Sequence, residues 1–233
     1  MNGIIFGDSI LRGMFVKKDG KRCIWKNNWL TTIYEQCGLE LTNHSQIGCT
    51  VQRGAMLLEK AAERGLEGQQ LVLLEYGGND ADFDWGSIAA EPGEKHFSKT
   101  PLQLFEQIYG KLIERVRSLQ IKPLLVTPVP VIAGRYLDWL SRDNDRAGIL
   151  KWLSGDETNI YRYQEMYALS VCKLAGKYDC PLLDIRSTML ERRDLPELMS
   201  PDGLHPVEAG YELIWQEIAE FFRRWLPVQT ELA

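Results

Sequence analysis

The tightest constraint on this chain is an alternation of two hydrophobic spacings. Five short runs, Gly3–Phe6, Leu39–Asn43, Gln70–Tyr76, Pro123–Thr127 and Pro181–Ile185, are apolar almost without interruption. Continuous apolar runs suit parallel strands buried on both faces; a strand with one wet face alternates instead. Between the runs lie stretches with helical spacing: Trp29–Gln36, Val51–Arg64, Leu102–Leu119, Ile160–Tyr178 and Val207–Trp225. In Leu102–Leu119 the expected stripe is Leu104, Ile108, Leu112, Val116 and Leu119. Strand–helix alternation demands crossovers, which are right-handed and leave helices on both faces of an open sheet. An α/β fold follows, and a chain of 233 residues, 45% of them hydrophobic, is long enough to bury its core as one domain over residues 1–233. Two segments fall outside this minimal unit. Asp80–Lys99 is rich in Asp, Gly and Pro and is expected to loop out. Pro128–Asn159 surrounds a short helical stretch near Tyr136–Leu140. Both follow carboxyl ends of strands, where open α/β sheets bind ligands.

Composition excludes several classes of function. The balance of 27 basic and 32 acidic residues gives a net charge of −5, and the basic pairs are scattered. No nucleic-acid or anionic-membrane partner is indicated, since such surfaces need clustered Lys and Arg. The five cysteines are odd in number and lack Cys-x-x-Cys spacing, which fits reduced thiols in a cytoplasm better than a disulfide framework or a zinc site. The amino terminus leads straight into the first strand without the pattern of a signal peptide, and no apolar run approaches membrane-span length.

Four small motifs sit at the ends of the predicted strands. Gly7-Asp8-Ser9 closes the first, with Gly7 expected to permit a tight turn and Asp8 to organise it beneath the serine. Gly48 lies a few residues past the second strand, where its bare N–H could reach a ligand. Gly77-Gly78-Asn79-Asp80 ends the third and offers the Asn79 amide as a donor. Asp202-Gly203-Leu204-His205 precedes the last helix, and its spacing puts Asp202 and His205 on one side of a turn. Each has a bland reading: an N-cap serine, a strand-to-helix glycine, a Gly-Asn turn, a surface histidine. All four, however, converge on one sheet edge. Together they supply a nucleophile (Ser9), a base (His205) with its orienting acid (Asp202), and oxyanion donors in the Ser9 and Gly48 N–H groups and the Asn79 side chain.

These blocks, in this order and spanning nearly the whole chain, resemble the SGNH hydrolases, also called the GDSL esterase/lipase family. The resemblance implies a three-layer α/β/α sandwich with five parallel strands in flavodoxin-like order. It also implies Ser9 as nucleophile, Gly48 and Asn79 as oxyanion donors, and the Asp202–His205 pair as the remaining members of a catalytic triad. The stretch from 128 to 159 departs from the family pattern and resembles an insertion. No Gly-x-Ser-x-Gly elbow is present, because Leu11 occupies the place of its second glycine. The expected activity is therefore carboxylic-ester hydrolysis through an acyl-enzyme, with no cofactor and no metal. Carbohydrate O-deacetylation or lysophospholipid hydrolysis would use the same residues, so the ester substrate could be an acylated sugar or a lipid. A flavodoxin-like binding module is the alternative of a different class. The acidic run Asp80-Ala81-Asp82-Phe83-Asp84 imitates a calcium loop but has Trp85 where glycine is required, and reads as a solvated loop. Of the other histidines, His44 is expected to be structural and His96 exposed. Trp85, Tyr136, Trp139 and Trp152 fall in the irregular segments, where they could stack on a sugar or an acyl chain. Oligomeric state is open.

Overall fold

The structure is a computed structural model that describes residues 1–231, with side chains described through residue 226. In chain order the elements are β1 (Asn2–Phe6), the hairpin strands β2 (Met14–Val16) and β3 (Arg22–Ile24), α1 (Trp29–Cys37), β4 (Glu40–Asn43), α2 (Val51–Arg64), β5 (Leu71–Glu75), α3 (Trp85–Ala90), α4 (Leu102–Ser118), β6 (Lys122–Val126), α5 (Ala133–Leu140), α6 (Arg146–Trp152), α7 (Thr158–Lys177), β7 (Leu182–Leu183), α8 (Ile185–Leu190), a 3₁₀ turn (Leu195–Leu198) and α9 (Glu208–Glu231). Five strands form one sheet in the order β4-β1-β5-β6-β7, and every pairing in it is parallel. All five strands expected from the apolar runs are present. The last is shorter than expected, and the hairpin β2–β3, only three residues per strand, was too short to leave a pattern.

Adjacent residues of each strand enter opposite layers, which is why both must be apolar. Ile5, Leu41, Leu73, Leu124 and Val126 pack under α1, α8 and α9. Ile4, Phe6, Val72, Leu74 and Leu125 pack under α2, α4 and α7. One expected stripe needs correction: Leu104 is exposed and Ile108 only half-buried, and the buried face of α4 runs through Phe105, Tyr109, Leu112 and Val116. The aromatic pair takes the inner face because its rings fill the space above the sheet and Tyr109 donates its hydroxyl to the Leu74 carbonyl (2.9 Å).

The segments expected to be irregular are not a fringe of loops. Trp85–Ala90, Ala133–Leu140 and Arg146–Trp152 are helices, and with the start of α7 they enclose a third apolar cluster around Trp85, Ile88, Tyr136, Leu137 and Ile149. Helices α3 and α6 cross so closely that a Cβ on Gly148 would stand 2.2 Å from the Ala89 carbonyl oxygen. The helical stretch expected near Tyr136–Leu140 is α5, while short length and frequent Gly and Asp hid α3 and α6. Asp84 and Asp145 are in fact their N-caps, accepting from Ser87 N–H and from Ala147 and Gly148 N–H. No described helix is long and apolar enough to cross a membrane, and the five cysteines are free.

Candidate active site

Ser9 follows β1 through Gly7. Gly7 is not among the residues with positive φ, so the expected turn conformation is not what calls for glycine there. Space is: a Cβ would lie 3.1 Å from Glu75 Oε2 and 3.2 Å from Ser45 Oγ. Asp8 Oδ1 accepts from the Ile10 N–H (2.8 Å), and Met14 N–H donates to the Ser9 carbonyl (2.9 Å), folding residues 8–14 into successive turns. Ser9 thus begins a tight turn and not a regular helix, and it is almost fully buried.

The opposite wall is the 199–206 loop. Met199 and Pro206 form an isolated antiparallel bridge, and Ser200 N–H donates to the His205 carbonyl (2.7 Å). Gly203, at φ +70°, makes the turn and presses against the Ile132 carbonyl, where a Cβ would approach to 2.6 Å. Asp202 Oδ1 accepts from the Leu204 and His205 N–H groups (3.0 and 3.2 Å), while its Oδ2 lies 2.6 Å from His205 Nδ1. His205 Nε2 lies 2.9 Å from Ser9 Oγ. A carboxylate only accepts, so it fixes the ring proton on Nδ1 and leaves Nε2 to accept from the serine hydroxyl. Burial works against the Asp202 charge, but the His205 hydrogen bond, the imidazole's charge and the two backbone donors outweigh it and hold its pKa below the ordinary carboxylate value. His205 is no surface histidine: its side chain is only 11% exposed.

The β5 loop supplies the third component. Asn79 Nδ2 donates to Asp8 Oδ2 (2.7 Å). That bond fixes which end of the amide faces inward and leaves the second Nδ2 hydrogen free. Asp80 is fully buried and holds the loop by accepting from Gly77 N–H and from Val51 N–H at the start of α2. Burial pushes its pKa up to about 6. The expected solvated acidic loop is corrected on this point. Asp80, Asp82 and Asp84 each accept from separate protein donors, and no group of residues suited to a metal ion occurs among those described.

Gly48 is exposed at φ +71°, where a Cβ would meet nothing, so glycine is required there by torsion alone. It does not line the cleft beside Ser9. Among the described residues neither its N–H nor that of Ser9 has a hydrogen-bond acceptor.

Three further features escaped sequence reading. Glu75, inside the third apolar run, is fully buried beneath the site, and its Oε2 accepts from the Asp8 N–H (3.1 Å). Burial, reinforced by the Asp8 charge, raises its pKa well above the ordinary value. Burial also raises Asp8, though Ile10 and Asn79 donate to it. A lone acidic residue in an otherwise apolar strand was the available signal. His96 is half-buried, edge-on to Trp152 with Nε2 2.9 Å from the Glu91 carbonyl, where exposure was expected. His44 is exposed and stands beside Phe6. The last feature is the cleft itself. From Ser9, Asn79 and His205 it runs between Phe83, Trp85, Val131, Tyr136 and Ile160, with about 90 Å³ of room for water-sized molecules.

Comparison with known proteins places this geometry in context. The sequence profile described as the GDSL-like Lipase/Acylhydrolase family matches residues 5–213. The fold is similar to a lipase/acylhydrolase from Enterococcus faecalis (18% identity, TM-score 0.67, covering 96% of this chain and 97% of that one). It is similar also to a member of the lipolytic protein G-D-S-L family from Veillonella parvula (18% identity, TM-score 0.65, 96% and 99% covered). A third likeness is to a psychrotrophic esterase from Pseudoalteromonas sp. (19% identity, TM-score 0.62, 97% and 98% covered). No curated protein matches the sequence.

Proposed function

The chain belongs to the GDSL-like lipase/acylhydrolase family and is a hydrolase of ester bonds, and from that premise we propose that it is a serine esterase working through Ser9, His205 and Asp202. One observation carries the reading: Ser9 Oγ stands 2.9 Å from His205 Nε2, whose opposite nitrogen faces the Asp202 carboxylate at 2.6 Å. This is the relay needed to make a serine hydroxyl nucleophilic. Transferred to His205, the Ser9 proton leaves Oγ free to form a bond to the ester carbonyl carbon, and the electron pair of the C=O moves onto oxygen. Asp202 stabilises the imidazolium and stays ionised.

Two donors beside the cleft are assigned to the oxyanion, the Ser9 N–H and Asn79 Nδ2, while the exposed Gly48 N–H is left out. Asp8 aims the Asn79 amide. Collapse of the tetrahedral species breaks the bond to the alcohol oxygen, which takes the proton from His205. Water then repeats the sequence on the acyl-Ser9 ester, releasing the acid. The Pseudoalteromonas esterase, whose structure is inhibited by monoethylphosphonate, is a precedent at the level of fold. The test is Ser9→Ala assayed on an activated acetyl ester. We expect kcat to fall by roughly 10⁴-fold or more with an unchanged thermal midpoint. Near-normal turnover would end the proposal.

A further inference from the structure

We infer that the aromatic side of the cleft is a subsite for a short, uncharged hydrocarbon acyl group, and that Asp82 is the positioning residue that sets its length limit. The inference rests on the Ser9–His205 reading and specifies which half of the ester the cleft takes.

Asp82 lies outside the reacting centre and yet holds the pocket wall. Its Oδ1 accepts from the Trp85 Nε1–H (2.7 Å) and from the Tyr136 hydroxyl (2.7 Å), and its Oδ2 accepts from Lys99 Nζ (2.7 Å). The Lys99 N–H also donates to the Asp82 carbonyl (2.7 Å). Trp85 and Tyr136 come from two separate segments and meet edge-on, with centroids 6.1 Å apart. Both are nearly buried. A single carboxylate therefore ties together two rings that, with Ser9 and His205, line the cleft.

The chemistry of the lining selects the occupant. Asp8, Glu75 and Asp82 are among the residues that line the cleft and no lysine or arginine is; Lys99, which pairs with Asp82, stands outside that lining. Arg186 is buried but does not line the cleft, and its guanidinium is bonded to Gln164 Oε1, the Pro128 carbonyl and Glu165. An anionic acyl group would enter uncompensated. Most of the wall's polar groups are already committed: the Trp85 and Tyr136 donors to Asp82, the Gln164 amide to the Val129 carbonyl and to Arg186. A hydroxylated ring placed there would find few partners, and burying unpaired hydroxyls is unfavourable. Hydrocarbon meets Val131, Ile160 and the ring faces instead. The room of about 90 Å³ is small and favours a short hydrocarbon chain over a long one.

The experiment measures kcat/KM on p-nitrophenyl acetate, butyrate, hexanoate, octanoate, dodecanoate and hemisuccinate with the intact chain, its Asp82→Ala and Tyr136→Phe variants, and a fluorophosphonate label on wild type. Expected for wild type is a rise of a few-fold per added methylene up to butyrate or hexanoate. A fall of at least tenfold follows by octanoate, with hemisuccinate at least tenfold below butyrate. Asp82→Ala should raise the octanoate-to-butyrate ratio at least tenfold. Tyr136→Phe keeps the ring, loses its bond to Asp82 and should raise the ratio several-fold, with the change in KM rather than kcat; it serves as the readout if Asp82→Ala fails to fold. Rates that climb through dodecanoate overturn the inference, as does a preference for hemisuccinate or a ratio unmoved in Tyr136→Phe. The catalytic reading fails separately, as an absence of both turnover and Ser9 labelling in wild type.

Discussion

The two sides of the cleft are built on different principles. On the catalytic side each reacting group is fixed mostly by residues close to it in sequence: Asp8 bonds Ile10, Asp202 bonds Leu204 and His205, and Asp80 bonds Gly77. The sheet then carries these pre-formed turns to one edge. The aromatic side has local bonds too, in the Asp84 and Asp145 caps and the Asp82–Trp85 pair, but long-range packing assembles it. Tyr136 meets Asp82 across 54 positions, Gly148 meets Ala89, and Phe83 packs on Trp152 and Tyr163. Chemistry is thus written in short motifs, and shape in long-range packing. Around residues 196–206 the halves are joined by the Ile132 N–H, which donates to the Gly203 carbonyl (2.8 Å), by Arg135, which donates to the Pro196 and Met199 carbonyls (2.5 and 2.8 Å), and by Leu204, which packs on the aromatic cluster.

If this division is right, substitutions should separate cleanly into those that abolish the reaction and those that reshape or loosen the cleft. The largest effect belongs to the catalytic side. His205→Ala and Asp202→Asn should each lower kcat by about 10⁴-fold, and the double variant should lose little more, because the groups act as one unit. Steady-state kinetics on an acetyl ester reads this directly. Additive losses would mean that the two residues do not work together.

Next comes the oxyanion donor and its anchor. Asn79→Ala should lower kcat about 10²- to 10³-fold. Asp8→Asn still lets position 8 accept from Ile10, but can turn a donor toward Asn79; it should cost about tenfold in kcat in the wild-type background and nearly nothing when Asn79 is already alanine. Loss of the same size in both backgrounds would break the proposed link from Asp8 through Asn79.

How much was legible in advance follows the same line. Ser9, Asn79, Asp202 and His205 announced themselves because the turns that hold them need particular residues at fixed short spacing, and they meet at the sheet edge expected. Gly48 was equally conspicuous, yet it lies exposed and off the cleft lining. A glycine motif reports the torsion it needs and not the direction its N–H faces. The five strands were legible because burial on both faces leaves no polar residue except where a structure needs one. Glu75 is that exception. Of the short helices, α5 was legible near Tyr136–Leu140, but α3 and α6 left little periodicity in six and seven residues. Their positions depend on aromatic contacts that no local pattern encodes.

The aromatic side yields a smaller, structural effect. Gly148→Ala would drive a methyl into the Ala89 carbonyl and should lower stability by about 1–3 kcal/mol, visible as a reduced thermal midpoint, without slowing modification of Ser9. A variant with unchanged stability would mean that α3 and α6 are less tightly crossed than the 2.2 Å approach implies.

The smallest effect is a pH dependence. The folded chain holds the Glu75 proton more tightly than the unfolded chain, so this group favours the fold fully below its ordinary value of 4.5 and loses that contribution as pH rises through its raised folded value. Thermal midpoints measured from pH 5 to 9 should decline more steeply for wild type than for Glu75→Gln, which stays neutral throughout. Parallel curves would show that the fold does not raise the Glu75 pKa.

The claim on which all of this rests is that His205 makes Ser9 reactive. The most direct measurement is labelling of the intact chain with a small fluorophosphonate, with the modified peptide located by mass spectrometry and the rate compared between wild type and His205→Ala. The account predicts one label per chain, on Ser9, formed at least a thousandfold more slowly in the variant. Labelling elsewhere, or equal rates in the two proteins, would contradict it.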